Sequence, residues 1–294
     1  MDTYYIDGQF VSDDNSFISV KDIIVLRGFG VFDFLITYHK RPFHLEEHVQ
    51  RLKNSAEQIG LQIRQTNSEI CDIVRETVAQ NPHHTESALR IVYTGGISSD
   101  GLNPEGRGIL MVLATQQHGL PQHLYTEGAK VITADAARFI PEAKSTCYLS
   151  AVLATQAAKK QGAIEALYID RDKRILEGTT TNFFCFIGER LITPRQDLLP
   201  GVTRSVVIEL AKQFHEVETR DVYMSEAGQM QEAFITASNK EVMPVVRVDD
   251  RQIGDGRVGE RVRQIMQAFR DYTNSYGQGK SRLRLAARGS GTNT

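Results

Sequence analysis

No apolar run in this chain approaches the roughly 18 to 20 residues that cross a bilayer. Charge of one sign is also missing: Lys and Arg number 34 against 36 Asp and Glu, a formal net charge of -2. That balance offers no electrostatic case for nucleic acid or for an anionic membrane. Cysteine is scarce. The three present, Cys71, Cys147 and Cys185, have neither metal-type spacing nor the even count of a disulfide framework. The first residues, Met1-Asp2-Thr3-Tyr4-Tyr5, lack the basic region and apolar core of a signal peptide. A reduced, cytoplasmic protein is expected. There is no internal repeat. Gly28 and Gly30 lack the third glycine and following helix of a dinucleotide fingerprint, and mark a bend or close backbone approach. His44 and His48 are spaced i, i+4 without the His-Glu-x-x-His order or a strong third ligand, so no metal is expected.

The chain does have size and ordinary composition. Its 294 residues, 41% apolar and 24% charged, allow two domains that each bury a core. Asp7-Gly8 between two strand-like pieces signals a hairpin. Asp22 to Tyr38 is apolar and β-branched, with Arg27 as a charge near a strand end. A helix is expected from His44 to about Ile59, stopped by Gly60, and a second from Ser68 to Ala79 with Asn67 as N-cap. Strands are expected over 88–94 and 108–114. Periodicity then stops. The resulting expectation is an α/β (α+β) protein with an N-terminal domain over 1–115, a linker over 116–127, a larger domain over 128–276 and a disordered tail over 277–294.

The stretch from Glu142 to Gly178 organises the rest. Ala151 to Lys160 is a strong helix former with Gly162 at its end, which puts Lys144 just outside or in the first turn of a helix. A cation is unfavourable at that end of the helix dipole, so the lysine is expected either to be well solvated or to have a lowered pKa, and a lowered pKa favours Schiff-base chemistry. Glu165 to Asp170 reads as a buried strand, Arg171-Asp172-Lys173 as a turn, and Arg174-Ile175-Leu176 as the returning strand. Glu177-Gly178-Thr179-Thr180-Thr181-Asn182 follows. Farther on, Pro200-Gly201-Val202-Thr203-Arg204 opens directly into an amphipathic helix, a geometry whose free N–H groups bind phosphate. Met224 reads as a helix start, Ala233 to Thr236 as a strand, and 259–272 as the last helix.

The order Lys-x3-Tyr, strand, Glu-Gly-x-x-x-Asn, strand resembles the fold type IV pyridoxal-phosphate enzymes, the class IV aminotransferases, over about residues 3–275. The resemblance implies pyridoxal 5′-phosphate as cofactor, with amino acids and 2-oxo acids as substrates. It implies that Lys144 is the Schiff-base lysine and general acid/base, and that Glu177 pairs with the pyridine nitrogen. Tyr148 would lie by the ring hydroxyl. Arg51, Val202, Thr203, Ser238 and Asn239 would hold the phosphate. Cys147 stands where many relatives carry asparagine.

Substrate choice turns on two places. Branched-chain relatives usually show Phe-Glu-Gly-x-Arg in the early strand, and this chain has Phe32-Asp33-Phe34-Leu35-Ile36. The best-known D-amino-acid enzymes carry an Arg-x-His pair in the loop after the Arg90 strand, and Ser98-Ser99-Asp100-Gly101 offers none. Arg27 and Arg90 in their sequence contexts resemble an atypical group of D-amino-acid transaminases, in which two arginines bind substrate carboxylates. That resemblance implies that Arg27, Phe32 and Arg90 meet the substrate, and that Arg27 reaches the neighbouring site of a homodimer. A branched-chain L-amino-acid aminotransferase, or a lyase acting on aminodeoxychorismate, are the alternatives.

Overall fold

A computed structural model describes residues 1–283 and residue 285, arranged around two β-sheets. Asp7 and Gly8 both take positive φ, 43° and 97°, and close a tight hairpin between β1 (Thr3–Ile6) and β2 (Gln9–Ser12). These join β3 (Gly30–Tyr38), β4 (Arg41–Pro42), β5 (Ser87–Thr94) and β6 (Leu110–Gln116) in an antiparallel sheet ordered β2-β1-β6-β5-β3-β4. Between β2 and β3, Asp22 caps a short helix, α1 (Ile23–Arg27), so Arg27 ends a helical turn and not a strand. The buried Asp22 carboxylate accepts from Ile24 N and Thr94 Oγ1, which decides the local geometry against β propensity.

Helices α2 (Leu45–Gln58) and α3 (Asn67–Ala79) cover one face of this sheet. Leu45, Val49, Leu52 and Ala56 of α2 enter the core at helical spacing. A second buried stripe on the same helix is polar: His48, Arg51 and Ser55. The cap of α3 is Thr66, one residue before the expected Asn67. Thr66 forms a capping box with Glu69, a pairing that leaves Asn67 free to enter the helix.

The stretch between the sheets is less irregular than expected, because β6 runs to Gln116 and α4 (His123–Thr126) adds a turn. The second sheet is assembled from β7 (Ala129–Asp135), β8 (Glu165–Ile169), β9 (Arg174–Gly178), β10 (Asn182–Ile187), β11 (Arg190–Thr193), β12 (Glu216–Thr219), β13 (Val222–Tyr223), β14 (Met230–Ala237), β15 (Glu241–Val248) and β16 (Arg251–Gln252). Its order is β12-β11-β10-β14-β15-β7-β8-β9-β13, with β16 paired to β15. Met224–Gln229 is a tight 3-10 turn, where an α-helix start was expected.

The helix after the organising stretch is α5 (Leu149–Lys160), followed by Gly162 in the left-handed region at φ 68°. Lys144 therefore lies outside its first turn, and the helix dipole does not act on it as expected. The segment around Lys144 instead runs beside β3, with Phe32 N donating to Lys144 O at 2.9 Å and Val31 bridged to Ser145. α6 is Val202–Ala211 and α7 is Glu260–Gly277. The last helix outruns its expected end at 272 because Tyr272 and Tyr276 bury against the other parts of the fold. Tyr276 OH accepts from His44 N and donates to Pro42 O. The expected disordered tail is also corrected in part. Arg282 pairs with Glu46 and Glu47, and Leu283 and Leu285 pack on the core around α7. Residues 284 and 286–294 of that expected tail lie outside the described residues. Among the described residues no helix is long and apolar enough to cross a membrane.

Candidate active site

A cavity of about 450 Å³ opens where the two sheets meet. Lys144 lines it, together with Arg51, Tyr148 and Glu177. Three contacts place the lysine. Its backbone N–H donates to Ser55 Oγ at 3.0 Å, its carbonyl binds β3, and its Nζ lies 4.6 Å from the centre of the Phe32 ring. Removal from water, and then the Arg51 guanidinium, pull its pKa down from the ordinary value to about 7. Of the two expected alternatives, solvation or a lowered pKa, the structure has the second, and its cause is desolvation and a neighbouring cation.

Glu177 projects from β9 and is 4% exposed. Its Oε1 accepts from Arg138 Nε at 2.8 Å, and its Oε2 from Leu199 N at 2.9 Å. Burial pushes its carboxyl above the usual range, opposed by Arg138 and the Leu199 N–H. Arg138 also donates through Nη1 to Ala143 O at 2.9 Å and through Nη2 to Pro141 O. Sequence reasoning missed Arg138. Its local sequence carried no usable signal: the neighbouring Ala137 and Phe139 are exposed, and the carboxylate it meets lies 39 positions away.

Arg51 is held by Asp33, which the sequence reading treated only as a departure from a family pattern. Asp33 Oδ2 accepts from Arg51 Nε at 2.8 Å, Asp33 Oδ1 from Nη2 at 2.7 Å, and the same Oδ1 lies 2.7 Å from His48 Nδ1. Asp33 is fully buried. Burial alone would raise its pKa, but the charges and hydrogen bonds of Arg51 and His48 more than reverse that, leaving it well below the usual carboxylate range. Burial lowers the pKa of His48, against the pull of Asp33. The remaining Arg51 nitrogen, Nη1, reaches Pro200 O at 3.2 Å beside the cavity.

At that end, Val202 and Thr203 open α6 behind Gly201, which supplies no side-chain cap. Their backbone N–H groups belong to the unpaired first turn and line the cavity. The turn after β14 brings in Ser238 and Asn239. Ser238 Oγ donates to Phe34 O at 3.0 Å, so its proton is already committed. Among the described residues, the fully buried hydroxyls at the cavity without a partner are Thr236 Oγ1 and Thr181 Oγ1. Neither was singled out from sequence. Orphaned hydroxyls, the open turn of α6 and one guanidinium end make a recess suited to a phosphate dianion.

Phe32 and Arg90 line the opposite wall through the β3–β5 pairing, in which Phe32 faces Val92 and Phe34 faces Arg90. The Arg90 guanidinium lies 5.7 Å from the Phe34 ring centre and, among the described residues, has no carboxylate partner. The Phe32 ring meets Tyr148 edge-on at 5.3 Å. Burial pushes the Tyr148 phenol up to about 12. Lys240 is a further cation at the cavity, 2.9 Å from Thr180 Oγ1 and 3.7 Å from Glu165 Oε2. Arg27 is not in this cavity. It is exposed, and its Nη1 donates to Leu26 O at 2.8 Å.

Residues 30–248 match the family model for amino-transferase class IV. A putative branched-chain-amino-acid aminotransferase of Methanocaldococcus jannaschii is 33% identical over 283 residues, covering 93% of this chain and 97% of that protein. A D-alanine aminotransferase of Staphylococcus epidermidis is 27% identical over 286 residues, covering 94% and 99%. Among solved structures, the branched-chain amino acid aminotransferase of Escherichia coli superposes with a TM-score of 0.88 at 27% identity, over 96% of each chain. Another branched-chain amino acid aminotransferase, solved with pyridoxamine 5′-phosphate, gives 0.87 at 27% identity, over 95% of each.

Proposed function

The chain belongs to the class IV aminotransferases, which work with pyridoxal 5′-phosphate, and from that premise we propose that it takes the amino group from D-amino acids such as D-alanine and D-glutamate and passes it to a 2-oxo acid such as 2-oxoglutarate. The observation that carries the D-amino-acid reading is Arg90: a cation on the cavity wall with no carboxylate of its own among the described residues. Arg90 is exposed where it lines the cavity, so its guanidinium is free to meet a substrate carboxylate in a bidentate, charge-assisted contact. Phe34 and Ile36 occupy the places where branched-chain relatives carry glycine and arginine.

When bound, the cofactor supplies the electron sink for loss of the substrate's Cα proton. Lys144 would hold it covalently through Nζ and, once released, would carry the proton between the two carbons. A pKa near 7 suits that double task, because the amine is available in both protonation states at neutral pH. Glu177 would keep the ring nitrogen protonated, with Arg138 and Leu199 N–H fixing both carboxylate oxygens in place. Tyr148 would donate to the ring oxygen; a phenol raised to about 12 stays protonated as a donor. Arg51, the N–H groups of Val202 and Thr203, and the Thr236 hydroxyl would take the phosphate, with Ser238 and Asn239 forming the adjoining turn.

We also assign Arg27 to the partner's cavity in a homodimer. Its exposure supports this, as do Val25, Leu26, Leu149 and Leu153, which leave apolar surface beside it. α1 and the start of α5 adjoin, since Thr146 Oγ1 donates to Gly28 O. The free cysteines and balanced charge suit a reducing, cytoplasmic setting.

A second reading, an L-branched-chain enzyme, draws on the apolar wall of Phe32, Phe34, Val92 and Leu199 and on the solved relatives. The test is to mix the yellow enzyme separately with D-alanine, D-glutamate and L-leucine, with no oxo acid, and follow the visible band. Rapid bleaching by the D-acids alone is expected. Bleaching by L-leucine alone would replace the D-amino-acid reading with the branched-chain one.

A further inference from the structure

A second cluster of donor atoms lies at the far end of the first sheet. Asp2 precedes β1, while His83 and His84 sit in the loop between α3 and β5. His83 Nε2 and His84 Nε2 each lie 3.0 Å from Asp2 Oδ1. One donor atom from each residue falls within 4.8 Å of the other two, a grouping of His, Cys, Asp or Glu that no other trio among the described residues makes.

The frame behind them is fixed. Asn81, 1% exposed, accepts from Thr3 N and donates to Thr3 O, both at 2.8 Å, which locks the start of β1 to the histidine loop. Asp13 N donates to Asp2 O at 3.0 Å. The His84 ring is buried, with Nδ1 3.0 Å from Ser87 Oγ. The His83 ring stays half open to solvent and meets His84 at 4.5 Å between centres.

We propose that Asp2, His83 and His84 bind one divalent transition-metal ion of the zinc class, with water completing the shell. Two imidazole nitrogens and one carboxylate oxygen form a donor set of intermediate softness that suits such ions. Bonds of about 2.0–2.2 Å to one tetrahedral centre place donors roughly 3.3 Å apart, close to the 3.0 Å that separates each histidine Nε2 from Asp2 Oδ1. A dication accepts both rings as neutral ligands. With Nδ1–H donating to Ser87 Oγ, His84 would keep its Nε2 lone pair for the metal. The ion would clamp β1, which pairs with β6 through only two residues, to the segment entering β5.

This site is independent of the transaminase reading and is tested without it. Untagged full-length protein, stripped with a chelator, is titrated with zinc chloride by calorimetry and melted with and without the ion. Wild type should bind one ion per chain and melt at higher temperature when loaded. His83→Gln removes an exposed ring and should melt like wild type in chelator, yet bind zinc at least ~10-fold more weakly and lose the thermal shift. Asp2→Asn should weaken binding likewise. Absence of saturable binding in wild type, or unchanged zinc affinity in either variant, overturns the site.

Discussion

Lys144 shows how one expectation can rest on a cause that the structure replaces. The helix dipole was the expected cause of its low pKa, yet α5 begins only at Leu149, and removal from water beside Arg51 does the work. Because the amine must be neutral to attack the cofactor, the rate at which apoenzyme recaptures pyridoxal 5′-phosphate should rise with pH and reach half its plateau near pH 7. Stopped-flow absorbance checks this; a midpoint near the ordinary lysine value, about 10.4, would remove the case for a depressed pKa. Lys144→Ala should abolish turnover, and near-normal turnover in that variant would sink the assignment. Asp33 is the companion case. Its carboxylate, depressed by Arg51 and His48, contributes stability that is present above the unfolded carboxylate pKa of about 4 and is withdrawn as pH falls below it. His48, held neutral by burial, adds a loss that begins as pH falls through about 6.5, where the unfolded ring takes up its proton. Asp33→Asn leaves Arg51 with an unmatched buried charge, at a cost of about 3–5 kcal/mol. The variant should melt lower and release cofactor faster on dialysis. Unchanged melting and retention would show that Asp33 does not position Arg51.

Among the elements, the contrast between α2 and α7 is instructive. The apolar stripe of α2 was visible in sequence, whereas its buried His48, Arg51 and Ser55 stripe is intelligible only beside Asp33 and Lys144. α7 continues to Gly277 because Val262, Ile265, Met266, Phe269, Tyr272 and Tyr276 cover the second sheet and the β3–α2 corner. Gly277 itself is needed there: a Cβ would fall 2.6 Å from Tyr38 O. Phe269 is 2% exposed and stacks edge-on near Phe43. Phe269→Ala should therefore cost about 3–5 kcal/mol of stability. A loss under about 1 kcal/mol in denaturant unfolding would mean that α7 is not the clamp its packing implies.

For the whole molecule, a complete site in solution is proposed to need two copies. Leu149, 70% exposed on α5, is a harmless position for Glu on a monomer and a damaging one at an apolar contact. Leu149→Glu should shift sedimentation from dimer to monomer and cut activity together; an intact, active dimer would place the contact elsewhere. The chain by itself determined most of its elements and the class of its chemistry. Hairpin, helix and strand periods are local, and Lys144, Glu177 and Val202-Thr203 stand at spacings that resemble one enzyme family. Only the tertiary structure decided what those residues experience. It brought Arg138 to Glu177 across 39 positions and Asp33 to Arg51 across 18, left Thr236 as an unengaged hydroxyl, and kept Arg27 out of the cavity. A pKa or a partner depends on burial and on charges brought together by packing, and no local pattern carries that information.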